Sequence, residues 1–231
     1  RYALRDCIDL PPTMEQYRKV ELTPDQEKHY KKLLKEAVTE VKGIQVTAVN
    51  AAVLFGRLLQ AASGCLYGAD GEVVKLDVST RMKEVEEILE ECDEKVIVFV
   101  PFTGALQAVK AELVKKGYEV GLIDGNTSKG ERHRVFDAFQ FGDKMKVLVA
   151  NAQTMSHGVT LTAASTIVWF APTVSNEIYE QANARIVRPG QTCTTNVINI
   201  VGTPVEEKIY KDLIEKKKFL DTVLEIVRDQ K

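Results

Sequence analysis

The sequence predicts a doubly wound α/β domain over about residues 93–204, in which helices cover both faces of a parallel sheet. The first observation is a set of short, β-rich and largely apolar segments, found at residues 95–100, 118–124, 146–151, 166–170 and 195–201. The second is that helical stretches separate most of them, over about residues 103–116, 129–141 and 176–187. Near-continuous apolar strands that alternate with helices are typical of a sheet buried on both faces. Functional residues are then expected on loops at the carboxyl ends of the strands.

The segment before this domain is predicted to be mainly helical. Thr23-Pro24-Asp25-Gln26 matches a capping box with proline in the first turn, and apolar residues follow at helical spacing. A second helix is expected to end at Gly64, because glycine readily adopts the left-handed conformation that closes a helix.

A hairpin, a third helix and a C-terminal helix complete the predicted order. The hairpin turns at Asp70-Gly71, and the third helix begins with Ser79 or Thr80 as its cap. A Lys-rich helix follows the sheet over residues 205–228. The chain is therefore divided into a lead-in over 1–92, the α/β domain over 93–204 and a C-terminal helix packed on it over 205–231.

Composition limits the partners that this chain can have. Its 231 residues, 45% of them hydrophobic, are enough for one large or two modest globular domains. The 31 basic and 33 acidic side chains create no overall positive field, so contacts with phosphates must come from a local cluster. The four cysteines and three histidines are scattered, which predicts reduced thiols and no metal site.

The chain is also not expected to have a membrane partner. No apolar run approaches the roughly 18 residues that a bilayer-spanning helix needs, and no signal peptide is visible. Because the first residue is not methionine, we expect a piece of a longer protein.

Residues 125–131 follow a predicted strand and supply the spacing G-x-x-x-x-G of a phosphate-binding loop. Glu131 and Arg132 stand where the lysine and the hydroxyl of that loop are required, and a carboxylate there would repel phosphates. A turn followed by a helix capped at Thr127 or Ser128 is the better interpretation. No G-x-G-x-x-G fingerprint and no strand ending in Asp-Glu occur, so the chain alone lacks the parts that hydrolyse a nucleotide.

Two arginines near the end of the predicted helix 176–187 have an unusual environment. Gln181, Arg185 and Arg188 recur at helical spacing, yet no carboxylate lies three or four residues before either arginine. Pro189 disfavours helical geometry at Arg188, so this side chain is expected to project from the helix end. The pair is either solvated or paired with acids elsewhere in the fold, or it grips a polyphosphate bidentately.

Residues 181–191, QANARIVRPGQ, resemble the last conserved motif of superfamily two helicases and translocases, and Gly190-Gln191 favours the Swi/Snf-type branch. Other segments resemble that family in the family's own order. KVIVFVPFTGALQAVKAEL is similar to motif IV, GLIDGNTSKGERHRVFDAFQ to the segment after it, VLVANAQTMSHGVTLTAASTIVWF to motif V, and GTPVEEKIYKDLIEKKKFL to the trailing segment. The start of the chain resembles the bridge between the two motor lobes, so the resemblance covers nearly the whole chain.

The resemblance implies the second RecA-like lobe of an ATP-driven DNA translocase. In that family ATP binds between two lobes, and an N-terminal RecA-like lobe supplies the P-loop lysine and most of the Mg²⁺ site. Mapped by motif, Arg188 is the arginine finger on the γ-phosphate, Arg185 supports the phosphates or couples the lobes, and Gln181 orients the arginines. Gly158 falls on motif V and is assigned to the nucleotide site. The isolated chain is then expected to be inactive.

DNA contacts are expected from backbone amides and small polar side chains at helix starts. The candidates are Thr103, Asn126, Thr127, Thr154 and Ser156, each of which is equally compatible with an ordinary turn or cap. Such contacts bind the DNA backbone, in a duplex for Swi/Snf-type relatives, without sequence specificity and with strong salt dependence.

Several positions depart from the eukaryotic remodeller pattern, among them Thr160, Ala171 and Val187. They favour a bacterial or phage version in the cytoplasm, or the nucleus if the source is eukaryotic. Two other functions stay open. One is a non-catalytic scaffold that binds DNA or a partner protein, and the other is a metabolite-binding α/β enzyme.

Overall fold

Six parallel strands form the central sheet in a computed structural model that describes residues 10–43, 48–68, 70–155, 159–216, 222, 225 and 226. These strands are β1 (Thr13–Lys19), β4 (Lys95–Phe99), β5 (Val120–Ile123), β6 (Val147–Ala150), β7 (Ala164–Trp169) and β8 (Thr195–Val201). Their order across the sheet is β1-β8-β7-β4-β6-β5, and all neighbours run parallel. A separate antiparallel hairpin pairs β2 (Cys65–Tyr67) with β3 (Val73–Lys75).

Seven helices accompany these strands in the described part of the chain: α1 (Pro24–Gly43), α2 (Ala48–Ala62), α3 (Ser79–Glu91), α4 (Thr103–Lys115), α5 (Lys129–Phe141), α6 (Asn176–Asn183) and α7 (Pro204–Ile214). Successive side chains of a strand point to opposite faces, and β4 shows this. Ile97 and Phe99 join one buried cluster with residues of α1, α2, α5, α6 and α7. Val96 and Val98 join a second cluster with α3 and α4. The predicted doubly wound α/β architecture is thereby confirmed.

Local signals in the lead-in are largely confirmed. The Thr23 hydroxyl accepts a hydrogen bond from the Gln26 amide at 3.3 Å, and the Gln26 side chain accepts from the Thr23 amide at 3.3 Å. This reciprocal pair is the predicted capping box. Gly64 closes the α2 region with φ +86°, and Gly71 turns the hairpin with φ +78°.

The cap predicted for α3 is wrong. Its N-cap is Val78, which offers no side-chain hydrogen bond, and both Ser79 and Thr80 lie inside the helix. Asp77 takes the capping role from one position further back, because its Oδ1 accepts from the Ser79 amide at 2.9 Å. The Thr80 hydroxyl instead donates to the Glu21 carbonyl at 2.6 Å.

Two helices are shorter than predicted. The helix expected over 176–187 is α6, which ends at Asn183. Of the helix expected over 205–228, α7 covers the first part and ends at Ile214. At the second end, Lys216 has φ 58°, a left-handed conformation that an uninterrupted helix excludes.

Strand β1 was not predicted. Its sequence, TMEQYRK, has no apolar run, because it lies at the sheet edge with one strand neighbour and a largely exposed surface. It pairs with β8 over its whole length, from Thr13 beside Thr195 to Lys19 beside Val201. The sheet therefore includes a strand from the segment 1–92, which the sequence analysis treated as a separate lead-in.

Candidate functional site

Helix α6 leads into the two arginines. It begins behind β7, where the Ser175 hydroxyl accepts a hydrogen bond from the Ile178 amide at 3.3 Å. It ends at Asn183 with Ala184 as its C-cap. The spacing predicted that Gln181 and the two arginines share one helix face. They do not, because only Gln181 lies within α6. The arginines lie in the turns that follow the helix.

Arg185 is a buried cation. Its residue is 4% exposed, and its Nε is buried without a hydrogen-bond partner among the described residues. Burial lowers the pKa of its guanidinium, and the positive charge of Arg188 lowers it further. Its backbone is fixed on both sides, since its amide donates to the Ala182 carbonyl at 3.1 Å and its carbonyl accepts from the Leu161 amide at 3.0 Å.

Arg188 is half-buried and makes neutral hydrogen bonds. Its Nε donates to the Ala184 carbonyl at 2.9 Å, and one terminal nitrogen lies 3.3 Å from the Thr160 hydroxyl. Both contacts keep the guanidinium beside the segment that precedes β7. In the sequence, Thr160 stands out only as a departure from the eukaryotic remodeller pattern. In the structure it is a neighbour of Arg188.

Gln191 fixes the turn that carries Arg188. It is buried, and its Nε2 donates to the Ala164 carbonyl at 2.9 Å and the Ile186 carbonyl at 3.2 Å. Its Oε1 accepts from the amides of the next two residues. Ala164 is the first residue of β7. The arginine segment is therefore tied to the amino end of β7, and the expectation that it lies at the carboxyl edge of the sheet is wrong.

The structure does not join Gln181 to the arginines by a hydrogen bond in the described part of the chain. Gln181 is exposed, and its Nε2 donates to Glu177 Oε1 at 2.9 Å, four residues earlier on α6. Gly158 and Ser156 lie outside the described residues. Arg185 and Arg188 are thus the only members of the predicted nucleotide set that the described residues bring together.

A second polar region lies at the carboxyl ends of β5 and β6. After β5, the buried Asp124 accepts from the Asn126 amide and from the Thr127 hydroxyl, both at 2.9 Å. The Thr127 hydroxyl also accepts from the Asp124 amide at 2.9 Å. These bonds build a rigid turn in front of α5, whose cap is Ser128 as predicted. The Asn126 side chain lies at an exposed position on that turn.

Arg132, which the sequence assigned no role, links the loops after β5 and β6. One terminal nitrogen donates to the Thr154 carbonyl at 3.1 Å, and the other lies 3.5 Å from the Thr127 carbonyl. The Thr154 hydroxyl donates to the Asn151 carbonyl at 2.7 Å. Two predicted DNA candidates, Thr127 and Thr154, are therefore held at one edge by one guanidinium. The arginine directly after Glu131, in the rejected phosphate loop, was the available signal.

The start of α4 is partly covered by the hairpin. Thr103 is the first residue of this helix and is exposed, but the neighbouring Gly104 amide donates to the Tyr67 hydroxyl at 2.9 Å. A side chain at Gly104 would meet Val73 of β3 at 2.7 Å, which shows how closely the hairpin approaches. Of the amides at this helix start, that of Gly104 already has a partner.

The described ranges hold no group of three or more His, Cys, Asp or Glu side chains that could bind a metal ion. None of their helices is long and apolar enough to cross a membrane.

Comparison with known proteins gives a consistent result. Residues 80–190 match the family described as helicase conserved C-terminal domain. A protein named as an uncharacterized ATP-dependent helicase of Mycoplasma pneumoniae is 27% identical over 210 residues, which are 89% of this chain and 20% of that protein. The chain thus spans a small part of the length of such relatives.

Solved structures share the fold. The SWI2/SNF2 ATPase core of Sulfolobus solfataricus in complex with dsDNA is 24% identical, with a TM-score of 0.72 over 94% of this chain and 46% of that one. The C-terminal part of the Fun30 ATPase domain is 18% identical, with a TM-score of 0.71 over 96% of this chain and 100% of that one. The sheet and its helices therefore form the predicted RecA-like fold.

Proposed function

We propose that this chain, whose residues 80–190 match the helicase conserved C-terminal domain, is the C-terminal lobe of a SNF2-type ATP-dependent helicase. Arg188 and Arg185 would act on ATP held by an N-terminal RecA-like lobe. The full-length protein would then be a DNA-dependent ATPase and translocase. The lobe described here would contribute the cationic half of a site that is completed by the other lobe.

The observation that carries this proposal is the buried guanidinium of Arg185, which lies near the like charge of the half-buried Arg188. Burying a guanidinium is costly unless an anion pairs with it, and a second arginine nearby increases that cost. The described residues provide no hydrogen-bond partner for Arg185 Nε. A polyphosphate would bring negative charge to Arg185 and would offer oxygen acceptors to both guanidinium groups.

Arg188 is the better candidate for the terminal phosphate. Its side chain is only half-buried, and its hydrogen bonds to the Ala184 carbonyl and the Thr160 hydroxyl are neutral ones. Hydrogen bonds to phosphate are charge-assisted and stronger, so they can replace these contacts. Arg188 would neutralise the charge that develops on the phosphate oxygens, while the fixed and buried Arg185 would hold the phosphates that do not react.

The proposed DNA surface is the carboxyl-edge region around α5 and the loop after β6. Asn126, Thr127 and Thr154 lie there, and we place Ser156 and Thr103 in the same interface by their motifs. The dsDNA complex of the Sulfolobus relative supports a duplex as the partner. Mg²⁺ would be held mainly by the N-terminal lobe together with the phosphates. Source organism and cellular compartment stay predictions.

The proposal is tested by Arg188→Ala in the full-length protein, with Arg57→Ala on the exposed surface of α2 as the matched control. Removing an arginine finger lowers turnover by about 10³-fold or more. We expect DNA-stimulated ATP hydrolysis to fall by this amount in Arg188→Ala, while ATP binding measured by a fluorescent analogue stays near wild type. Arg57→Ala should retain full activity.

Near-normal turnover in Arg188→Ala would remove this residue from the mechanism. A different outcome would be a wild-type full-length protein that binds DNA but does not hydrolyse ATP. That result would favour the non-catalytic scaffold over the motor. Loss of ATP binding together with turnover would instead assign Arg188 to ground-state binding.

A further inference from the structure

A polar network beneath α6 ties this helix to the edge strand β1. The Tyr179 hydroxyl of α6 donates to Glu15 Oε1 of β1 at 2.6 Å. Asn199 of β8 donates from Nδ2 to the same carboxylate oxygen at 3.2 Å, and its own Oδ1 lies 3.1 Å from the Tyr179 hydroxyl. Glu15 is exposed, but its Oε1 contacts two buried side chains, those of Tyr179 and Asn199.

A second anchor lies one turn further along α6. The Trp169 indole nitrogen of β7 donates to Asn183 Oδ1 at 2.9 Å. The Trp169 ring also packs on Tyr179 with ring centroids 4.9 Å apart. Tyr179 and Asn183 are four residues apart and lie on one helix face, so both hold the same side of α6 to the sheet.

The position of α6 determines the position of the arginines. The helix has eight residues, too few to be stable without tertiary contacts. Arg185 follows two residues after its end, and the Arg185 amide donates back to the Ala182 carbonyl inside the helix. A shift or rotation of α6 therefore moves the Arg185 backbone directly.

We propose that Glu15, acting through the hydroxyl of Tyr179, is a positioning residue for Arg185 and Arg188. The inference rests on the proposed function of those arginines. Glu15 does not touch the nucleotide. It holds α6 in the rotation at which the arginine turn meets the phosphates, and so connects an edge strand of the sheet to the catalytic cations.

The hydrogen bond can be removed without removing the packing. Tyr179→Phe keeps the ring on Trp169 and deletes only the hydroxyl, while Glu15→Ala deletes the acceptor. Glu15→Gln keeps an oxygen that accepts from both Tyr179 and Asn199. Tyr17→Phe is the matched control, because Tyr17 lies on the same strand and is 43% exposed.

These variants are measured in the full-length protein as DNA-stimulated ATPase activity, well below each variant's melting temperature. We expect Glu15→Ala and Tyr179→Phe to lower kcat by about tenfold each, since small misplacements of catalytic groups cost up to about 10² in rate. Kd for DNA should change by less than about twofold, because the proposed DNA contacts lie on other elements. KM for ATP should rise by less than kcat falls, because Arg185 holds phosphates in the ground state whereas Arg188 acts in the transition state. Glu15→Gln and Tyr17→Phe should retain kcat.

The double variant Glu15→Ala/Tyr179→Phe should be no slower than either single variant if both act through one hydrogen bond. Wild-type kcat in both single variants, with only a lower Tm, would overturn the proposal, as would additive losses in the double variant. The Arg188→Ala experiment separates the two levels. If that variant loses turnover and the Glu15 series does not, only the positioning role fails.

Discussion

Two arginines are buried in the described part of the chain, and their charged neighbours differ. Arg81 of α3 is 1% exposed and donates from NH2 to both carboxylate oxygens of Glu206 at 3.0 and 2.9 Å. It also donates to the Phe170 carbonyl at the end of β7 and lies over the Phe170 ring. Arg185 is 4% exposed, and burial together with the positive charge of Arg188 lowers the pKa of its guanidinium. Both guanidinium groups leave Nε without a hydrogen-bond partner among the described residues, but only the Arg81 guanidinium has a carboxylate beside it.

This difference separates a structural arginine from the one that we propose binds a ligand. Arg81 joins α3, the carboxyl ends of β7 and β8, and the start of α7, where Glu206 also accepts from the Gly202 amide at 2.8 Å. Every charge there has its partner inside the chain. Among the described residues Arg185 is held through its backbone amide and carbonyl, and the positive charge of Arg188 disfavours its charged form. The comparison predicts opposite results when each charge is removed.

Arg185→Met gives the largest expected effect, and the effect is on activity. In the full-length protein, DNA-stimulated ATP turnover should fall by about 10³-fold, the size attributed to a lost phosphate-contacting arginine. Unfolding free energy, measured by urea denaturation of the same protein, should be unchanged or higher by about 1 kcal/mol. The reason is that a buried charge without a partner has been replaced by an apolar side chain of similar length.

Arg57→Met serves as the control for the loss of an exposed arginine. A large fall in the stability of Arg185→Met would mean that the side chain has a structural partner, and the contrast with Arg81 would collapse.

Arg81→Met gives the second effect, and it is on stability. Removing one member of a buried ion pair leaves Glu206 charged and desolvated, which costs about 3–5 kcal/mol. Urea denaturation should detect this loss. The double variant Arg81→Met/Glu206→Leu should recover most of it, because no buried charge then remains. A single variant as stable as wild type would show that the pair contributes little. ATP turnover per folded molecule should stay close to wild type.

Sequence patterns singled out the two candidate arginines, but they did not predict where α6 ends or how the turn after it is shaped. Arg185 was found because carboxylates are absent at helical spacing, which is a local feature. The end of α6 at Asn183 was missed, since nothing before Pro189 signals it and the hydrogen bonds to Leu161 and Ala164 that shape the turn come from elsewhere in the chain.

Local sequence patterns could not predict side-chain hydrogen bonds between residues that are far apart in the chain. Arg81 and Glu206 are 125 residues apart, and each lies in a charged helical sequence that resembles a solvated surface. Glu15 is 164 residues from Tyr179, on an edge strand whose exposed face removes the apolar signal. The sheet was predictable because strands buried on both faces must be apolar, whatever their neighbours are.

Thr160→Asp gives the smallest effect on stability and tests the comparison by placing a new carboxylate beside Arg188. Thr160 Oγ1 lies 3.3 Å from a terminal nitrogen of Arg188, so an aspartate there can form an ion pair with it. Because Thr160 is exposed, the gain in unfolding free energy should be at most about 1 kcal/mol and should shrink in high salt.

ATP turnover of Thr160→Asp should fall, since the carboxylate competes with phosphate for Arg188. Thr160→Asn, which has the same shape without the charge, should keep both turnover and salt response near wild type. Equal turnover in the Asp and Asn variants would mean that the charge of Arg188 is not reserved for a phosphate.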